Sequence, residues 1–131
     1  MNVTALLAQD QVAPVADALA NARAGMISVF AGRYADTGRD PVPMMRAAAR
    51  ILRAYPHLEL LWASPREILN IFHAEMAGCH IITVTNDLLA KLSLIGKDPR
   101  EYSLETVRMF FEDGRAAGYT IRARGIHARR P

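Results

Sequence analysis

Four times along the chain a short β-branched or apolar run gives way to a helical pattern, and this alternation constrains the fold more than any other feature. Runs that recur at intervals of roughly 20 to 35 residues, each followed by a helix, are too far apart for hairpins and suit parallel βα units. The first predicted strand is Asn2 to Leu7, followed by Val12, Val15, Ala16, Leu19 and Ala22 at helical spacing, with Gly25 as the C-terminal cap. The second is Met26 to Phe30; a polar loop runs through Asp40 to a helix with Met44, Met45, Ala48, Ile51 and Leu52 on one face. The third, Leu58 to Trp62, leads into Ser64-Pro65-Arg66-Glu67, which reads as a capping box with Ser64 as N-cap and proline at the first helical position. That helix carries Ile68, Leu69, Phe72 and Met76 and stops at Gly78. The fourth strand, His80 to Val84, meets Asn86 as the cap of a short helix through Leu92. Beyond a turn at Lys97-Asp98-Pro99, Ser103 is read as the cap of a last helix holding Leu104, Val107, Phe110 and Phe111 and ending near Gly118.

A hydrophobic content of 51% with 22% charged residues places the 131 residues among globular chains and excludes large-scale disorder. The net charge of +3 is local. Residues 122–131 hold Arg122, Arg124, Arg129 and Arg130 and no acid, which leaves the remainder with 12 basic against 13 acidic residues. Residues 122–131 are therefore expected to be a basic, disordered tail, and with no basic face on the body, no nucleic-acid partner is expected. Cys79 is the single cysteine, so no intrachain disulfide forms and a reducing, cytoplasmic setting is expected. No run approaches the roughly 18 apolar residues of a membrane span, so no membrane partner is expected. His57, His73, His80 and His127 show no metal-binding spacing, and no metal is expected.

The segment Ser28-Val29-Phe30-Ala31-Gly32-Arg33-Tyr34-Ala35-Asp36-Thr37-Gly38-Arg39-Asp40 carries a specific signature. It resembles the S-x-F-x-G-R-x-x-D-x-G-x-D pattern of the transaldolase family, whose members move a dihydroxyacetone unit between sugar phosphates. That family builds a closed (β/α)8 TIM barrel, and such barrels take about 250 residues. The resemblance covers residues 2 to 121 and matches them to the last four strands, five to eight, and the C-terminal helix. It thus implies an α/β fold of four C-terminal βα units plus a terminal helix, with residues 1–121 as half a barrel.

The resemblance also implies roles. Asn2 and Thr4 face the barrel interior and orient the substrate and a catalytic water; Ser28 supplies a hydroxyl and Phe30 a wall. Arg33 matches the phosphate-contacting arginine, and Ser64 with Arg66 matches a second phosphate group in which the family reads A-S-F-R and this chain has Ala63-Ser64-Pro65-Arg66. A guanidinium suits phosphate because its planar fork donates paired hydrogen bonds and keeps its charge. Proline in place of the aromatic leaves the phosphate contacts and puts the identity of the sugar in question. On the residues alone, Arg33 reads as a loop arginine paired with Asp36 or Asp40, and Ser64 as a helix cap only.

In the family the Schiff-base lysine lies on strand four and the acid/base carboxylates on strands one and three. This chain has only Lys91 and Lys97, neither of them at the carboxyl end of a strand, so it is expected to hold no catalytic residue. The expected function is that of a transaldolase-like enzyme fragment acting on a sugar phosphate without a cofactor, inactive alone. The alternative is a non-catalytic half-barrel that binds a phosphorylated ligand or a complementary half. Open edges imply a homo-oligomer or pairing with a missing N-terminal half.

Overall fold

The computed structural model describes residues 1–120, and the basic segment 122–131, with His127, lies outside them. The chain divides into two compact units, Met1–Ile95 and a second that begins at Gly96. In the first unit four strands form one sheet in sequence order: β1 (Asn2–Leu6), β2 (Gly25–Val29), β3 (Leu58–Trp62) and β4 (Ile81–Ile82). Every neighbouring pair is parallel. The connections carry α1 (Val12–Ala18), α2 (Ala31–Ala35), α3 (Pro41–Leu52) and α4 (Leu69–Ala77), and α5 (Asn86–Ala90) follows β4.

Alternation along the strands sorts the side chains. Ile27, Val29, Leu58, Leu60 and Trp62 point to one face, where they pack with Val12 and Ala16 of α1, Met44, Met45, Ala48 and Leu52 of α3, and Ala74 and Ala77 of α4. Each large side chain buried in this layer stabilises the fold by about 1.5–3 kcal/mol. The opposite face carries Asn2, Met26, Ser28, Glu59, Leu61 and Ile81, aligned across the sheet by the register. On that side Ser28 and Leu61 are buried while Asn2 and Glu59 are exposed. Four parallel strands in sequence order, each followed by a helix, make the sheet four βα units of a partial (β/α)8 barrel.

One irregularity tunes β1. Val3 pairs with Ile27 and Leu6 with Val29, so β1 spends one residue more than β2 over the same rise. Ala5 absorbs the extra residue at a φ of 69°, and Leu6 is thereby turned to the core face beside Val3. Asn2 precedes this bulge, whereas Thr4 lies within it.

Several predicted boundaries shift for identifiable reasons. Gly25 is the first residue of β2 rather than a helix cap, because α1 ends at Ala18 and a turn fills the gap. The stretch read as a loop before Asp40 contains α2. Ser64 is no N-cap: its φ of 61° is left-handed, whereas an N-cap needs extended backbone, and α4 starts only at Leu69. The N–H groups of Arg66 and Glu67 donate instead to Asn70 Oδ1, at 2.7 and 3.3 Å. Asn86 is the first residue of α5, with Thr85 before it in the extended conformation of a cap, and β4 is shorter than predicted. Gly78 caps α4 in the left-handed conformation as predicted.

The second unit contains α6 (Pro99–Ala116). Its cap is Asp98, which accepts from the N–H groups of Arg100 and Glu101, so Ser103 falls inside the helix. Asp98-Pro99 was read as a turn, yet a carboxylate ahead of proline is itself a strong helix start.

Candidate functional site at the carboxyl ends of the strands

The loops that leave β2 and β3 meet at a backbone contact. Gly32 N–H donates to the Ala63 carbonyl at 3.2 Å, and a Cβ built on Gly32 would sit 1.5 Å from the Ser64 carbonyl oxygen. Only a glycine permits this approach. It sets α2, which carries Arg33, against the segment that carries Ser64 and Arg66.

Asp36 ties the same two loops through side chains. Its carboxylate accepts from Arg66 Nε at 3.1 Å and from Arg66 Nη2 at 2.5 Å, a side-on pair between half-exposed groups. Those hydrogen bonds hold the Asp36 carboxyl below its ordinary range, against an opposing effect of desolvation, and the charges of Arg66 and Arg33 add to the lowering. The same pairing raises Arg66. Asp36 is thus hydrogen-bonded to Arg66 and, more weakly, feels the charge of Arg33 on its own helix.

Ser28 is buried, and its hydroxyl donates to Asn2 Oδ1 at 2.7 Å, joining β2 to β1. Thr4 is exposed. Phe30 is half-buried, and its ring lies under the Arg33 guanidinium, whose central carbon is 4.8 Å from the ring centroid. This stacking supports the arginine, a contact that the spacing of the sequence does not announce. Asp36 was read as one of two partners open to Arg33, whereas its hydrogen bonds go to Arg66. Asn70, which braces the Arg66 loop, gives no signal in the sequence, because it lies inside α4 and caps the preceding loop from there.

The remaining reactive groups have structural explanations. Lys91 is exposed. Lys97 pairs with Glu105 and lies 4.9 Å from the Tyr102 ring centroid. Burial pushes the Cys79 thiol up to about 12, which keeps it protonated. His57 contacts the Leu19 carbonyl through Nε2 at 3.1 Å, and His80 Nδ1 accepts from Leu60 N–H at 2.9 Å. Among the described residues no group of His, Cys, Asp and Glu could hold a metal. No helix there is long and apolar enough to cross a membrane. A cavity of about 720 Å³ lined by Arg46, Arg50, Arg53 and His80 opens at the other end, where the strands begin. In barrels of this kind that end serves stability while chemistry gathers at the carboxyl ends.

A parallel sheet with helices on one side and charged loops at its carboxyl ends defines a protein of the α/β-barrel class. Residues 1–124 match the family described as Transaldolase/Fructose-6-phosphate aldolase, and the chain belongs to that family. It is 33% identical over 82 residues to a probable transaldolase of Caldicellulosiruptor saccharolyticus, covering 60% of this chain and 38% of the relative. It is 31% identical over 96 residues to a probable transaldolase of Nitrosopumilus maritimus, covering 70% of this chain and 40% of the relative. The chain thus matches about two fifths of the length of these curated relatives.

Proposed function

We propose that this chain is the phosphate-binding and substrate-orienting half of a transaldolase-type active site. In this reading Arg33, Ser64 and Arg66 hold the phosphate of a sugar phosphate, Phe30 lines the site, and Asn2, Thr4 and Ser28 orient the ketose and a water. The observation that supports it best is the junction of the two loops, in which Gly32 seats against Ser64 and Asp36 bridges to Arg66. That junction places two permanent cations at the carboxyl ends of parallel strands, where substrates of α/β barrels sit.

The reaction is transfer of a dihydroxyacetone unit, or simple aldol cleavage, through a lysine Schiff base. A lysine amine attacks the ketose carbonyl and expels water, and a carboxylate shuttles protons while the carbon–carbon bond breaks. Neither Lys91 nor Lys97 lies at a strand end, so the nucleophile and the carboxylates come from outside these 131 residues. A complementary half that carries them completes the barrel beside these four strands. The second reading, a non-catalytic half-barrel for phosphorylated ligands, draws on the same arginines and the same lack of a strand-end lysine.

Calorimetric titration with inorganic phosphate and with fructose 6-phosphate tests the binding role. Arg33→Ala and Arg66→Ala should each weaken binding about ten- to a hundredfold, the loss of one charge-assisted hydrogen-bonding partner. Unchanged affinity in both variants refutes the phosphate site. Borohydride reduction in the presence of fructose 6-phosphate, read by intact mass, should leave this chain unmodified; a stoichiometric adduct on Lys91 or Lys97 would overturn the assignment of the nucleophile elsewhere.

A further inference from the structure

We infer that Asp36 is a positioning residue, which holds the Arg66 guanidinium in a single plane ready for an incoming anion. The inference rests on the phosphate site proposed above and adds to it a residue that does not itself touch the ligand. Asp36 ends α2, and its N–H donates to the Gly32 carbonyl at 3.0 Å, so the helix that carries Arg33 also anchors the Asp36 backbone. Its two oxygens take one edge of Arg66, from Nε at 3.1 Å and from Nη2 at 2.5 Å. The Arg66 backbone is fixed independently by Asn70 Oδ1, which accepts its N–H at 2.7 Å. The side chain between these two anchors is 51% exposed, so packing restrains it little.

A guanidinium carries five N–H groups in a rigid fork. Two of Arg66's face Asp36. The others stay in the same plane and turn away from the carboxylate, which leaves a preset donor edge for phosphate.

Removing Asp36 has two opposed effects on anion binding. Taking a negative charge from beside Arg33 and Arg66 favours the anion, but at an exposed site screened by salt this amounts to about twofold. Releasing Arg66 returns rotamer freedom to a long side chain, which binding must then remove, a penalty that reaches about thirtyfold when the freedom is fully regained. Ordering outweighs charge, so phosphate should bind about three- to tenfold more weakly to Asp36→Ala despite the more positive site. A residue acting only through its charge gives the opposite sign.

The test is a ¹⁵N NMR titration with inorganic phosphate at constant ionic strength, on wild type, Asp36→Ala and Asp36→Glu, with the Arg66 Nε–H signal assigned by its loss in Arg66→Lys. Backbone amide dispersion in the same spectra reports that each variant is folded. The expected result is a distinct Arg66 Nε–H signal in wild type before phosphate is added. In Asp36→Ala that signal joins those of mobile arginines and affinity falls, while Asp36→Glu partly restores both. Equal or tighter phosphate binding by Asp36→Ala, or an unmoved Arg66 signal, overturns the inference. A wild type that ignores phosphate refutes the phosphate site, and the ligand-free Arg66 signal then still decides whether Asp36 positions Arg66.

Discussion

Replacing Gly32 with alanine sets two principles against each other. Gly32 lies in α2, in ordinary helical backbone, where alanine is favoured over glycine by about 0.5–1 kcal/mol. The structure predicts the reverse. The new Cβ would fall 1.5 Å from the Ser64 carbonyl oxygen and 2.6 Å from its carbonyl carbon. Both are backbone atoms, and Ser64 already adopts a left-handed φ of 61°, so the loop cannot yield by a rotamer change. Overpacking of this kind costs about 1–3 kcal/mol, and separating the loops forfeits the Gly32 to Ala63 hydrogen bond, worth about 1 kcal/mol. The net expectation is a loss of about 1–3.5 kcal/mol once the helix gain is subtracted. Urea unfolding followed through Trp62, the single tryptophan and fully buried, gives the measurement. With a slope near 2 kcal/mol per molar, the midpoint should fall by about 0.5–1.7 M. Gly38→Ala is the control: no atom lies within 4 Å of its built Cβ, and only its φ of +80° resists, so it should lose about 1–2 kcal/mol without weakening phosphate binding. A Gly32→Ala variant as stable as wild type, with phosphate binding intact, would refute the interlocked-loop account.

Cys79 should react slowly with iodoacetamide at pH 8: with its pKa at about 12 instead of 9.0, about a thousandfold less thiolate is present, and denaturant should restore ordinary reactivity. Labelling at the rate of a free thiol in the native state would contradict its burial. The sheet edges at β1 and β4, which pair with no further strand among the described residues, predict association, seen in light scattering as a mass above 14.5 kDa and in unfolding as stability that rises with concentration. A cooperatively folded, concentration-independent monomer would show that the half-barrel is self-sufficient.

The elements easiest to read in the sequence were those whose signal is periodic. The Leu58 to Trp62 strand was predicted residue for residue, and the Met44, Met45, Ala48 and Leu52 stripe is the buried face of α3. Both follow from apolar spacing that only one secondary structure can bury. The short elements were less legible. Helix α2 has five residues, too few to show a period, and sits in a stretch rich in Asp, Gly and Thr that reads as loop. Strand β4 is short because only Leu61 and Trp62 offer it ladder partners, which the sequence of the strand itself cannot reveal.

Ser64 shows why the site was only partly legible. Serine, proline and glutamate in that order satisfy every local rule for a helix start, yet the backbone takes a left-handed turn at Ser64 and the helix waits for Leu69. What overrides the local rule is the contact with Gly32, 32 positions earlier, which brings the two loops close enough for Asp36 to reach Arg66. Left-handed backbone at a non-glycine residue is costly and persists only where surrounding contacts hold it. Here Asn70 holds the Arg66 end and Gly32 the Ser64 end. A serine released into its preferred capping geometry would begin the helix earlier and carry Arg66 into its first turn, away from the loop that bears Asp36 and Arg33. The failure of the capping rule and the pairing of Asp36 with Arg66 therefore meet at one contact, the seating of Gly32, without a side chain, against Ser64.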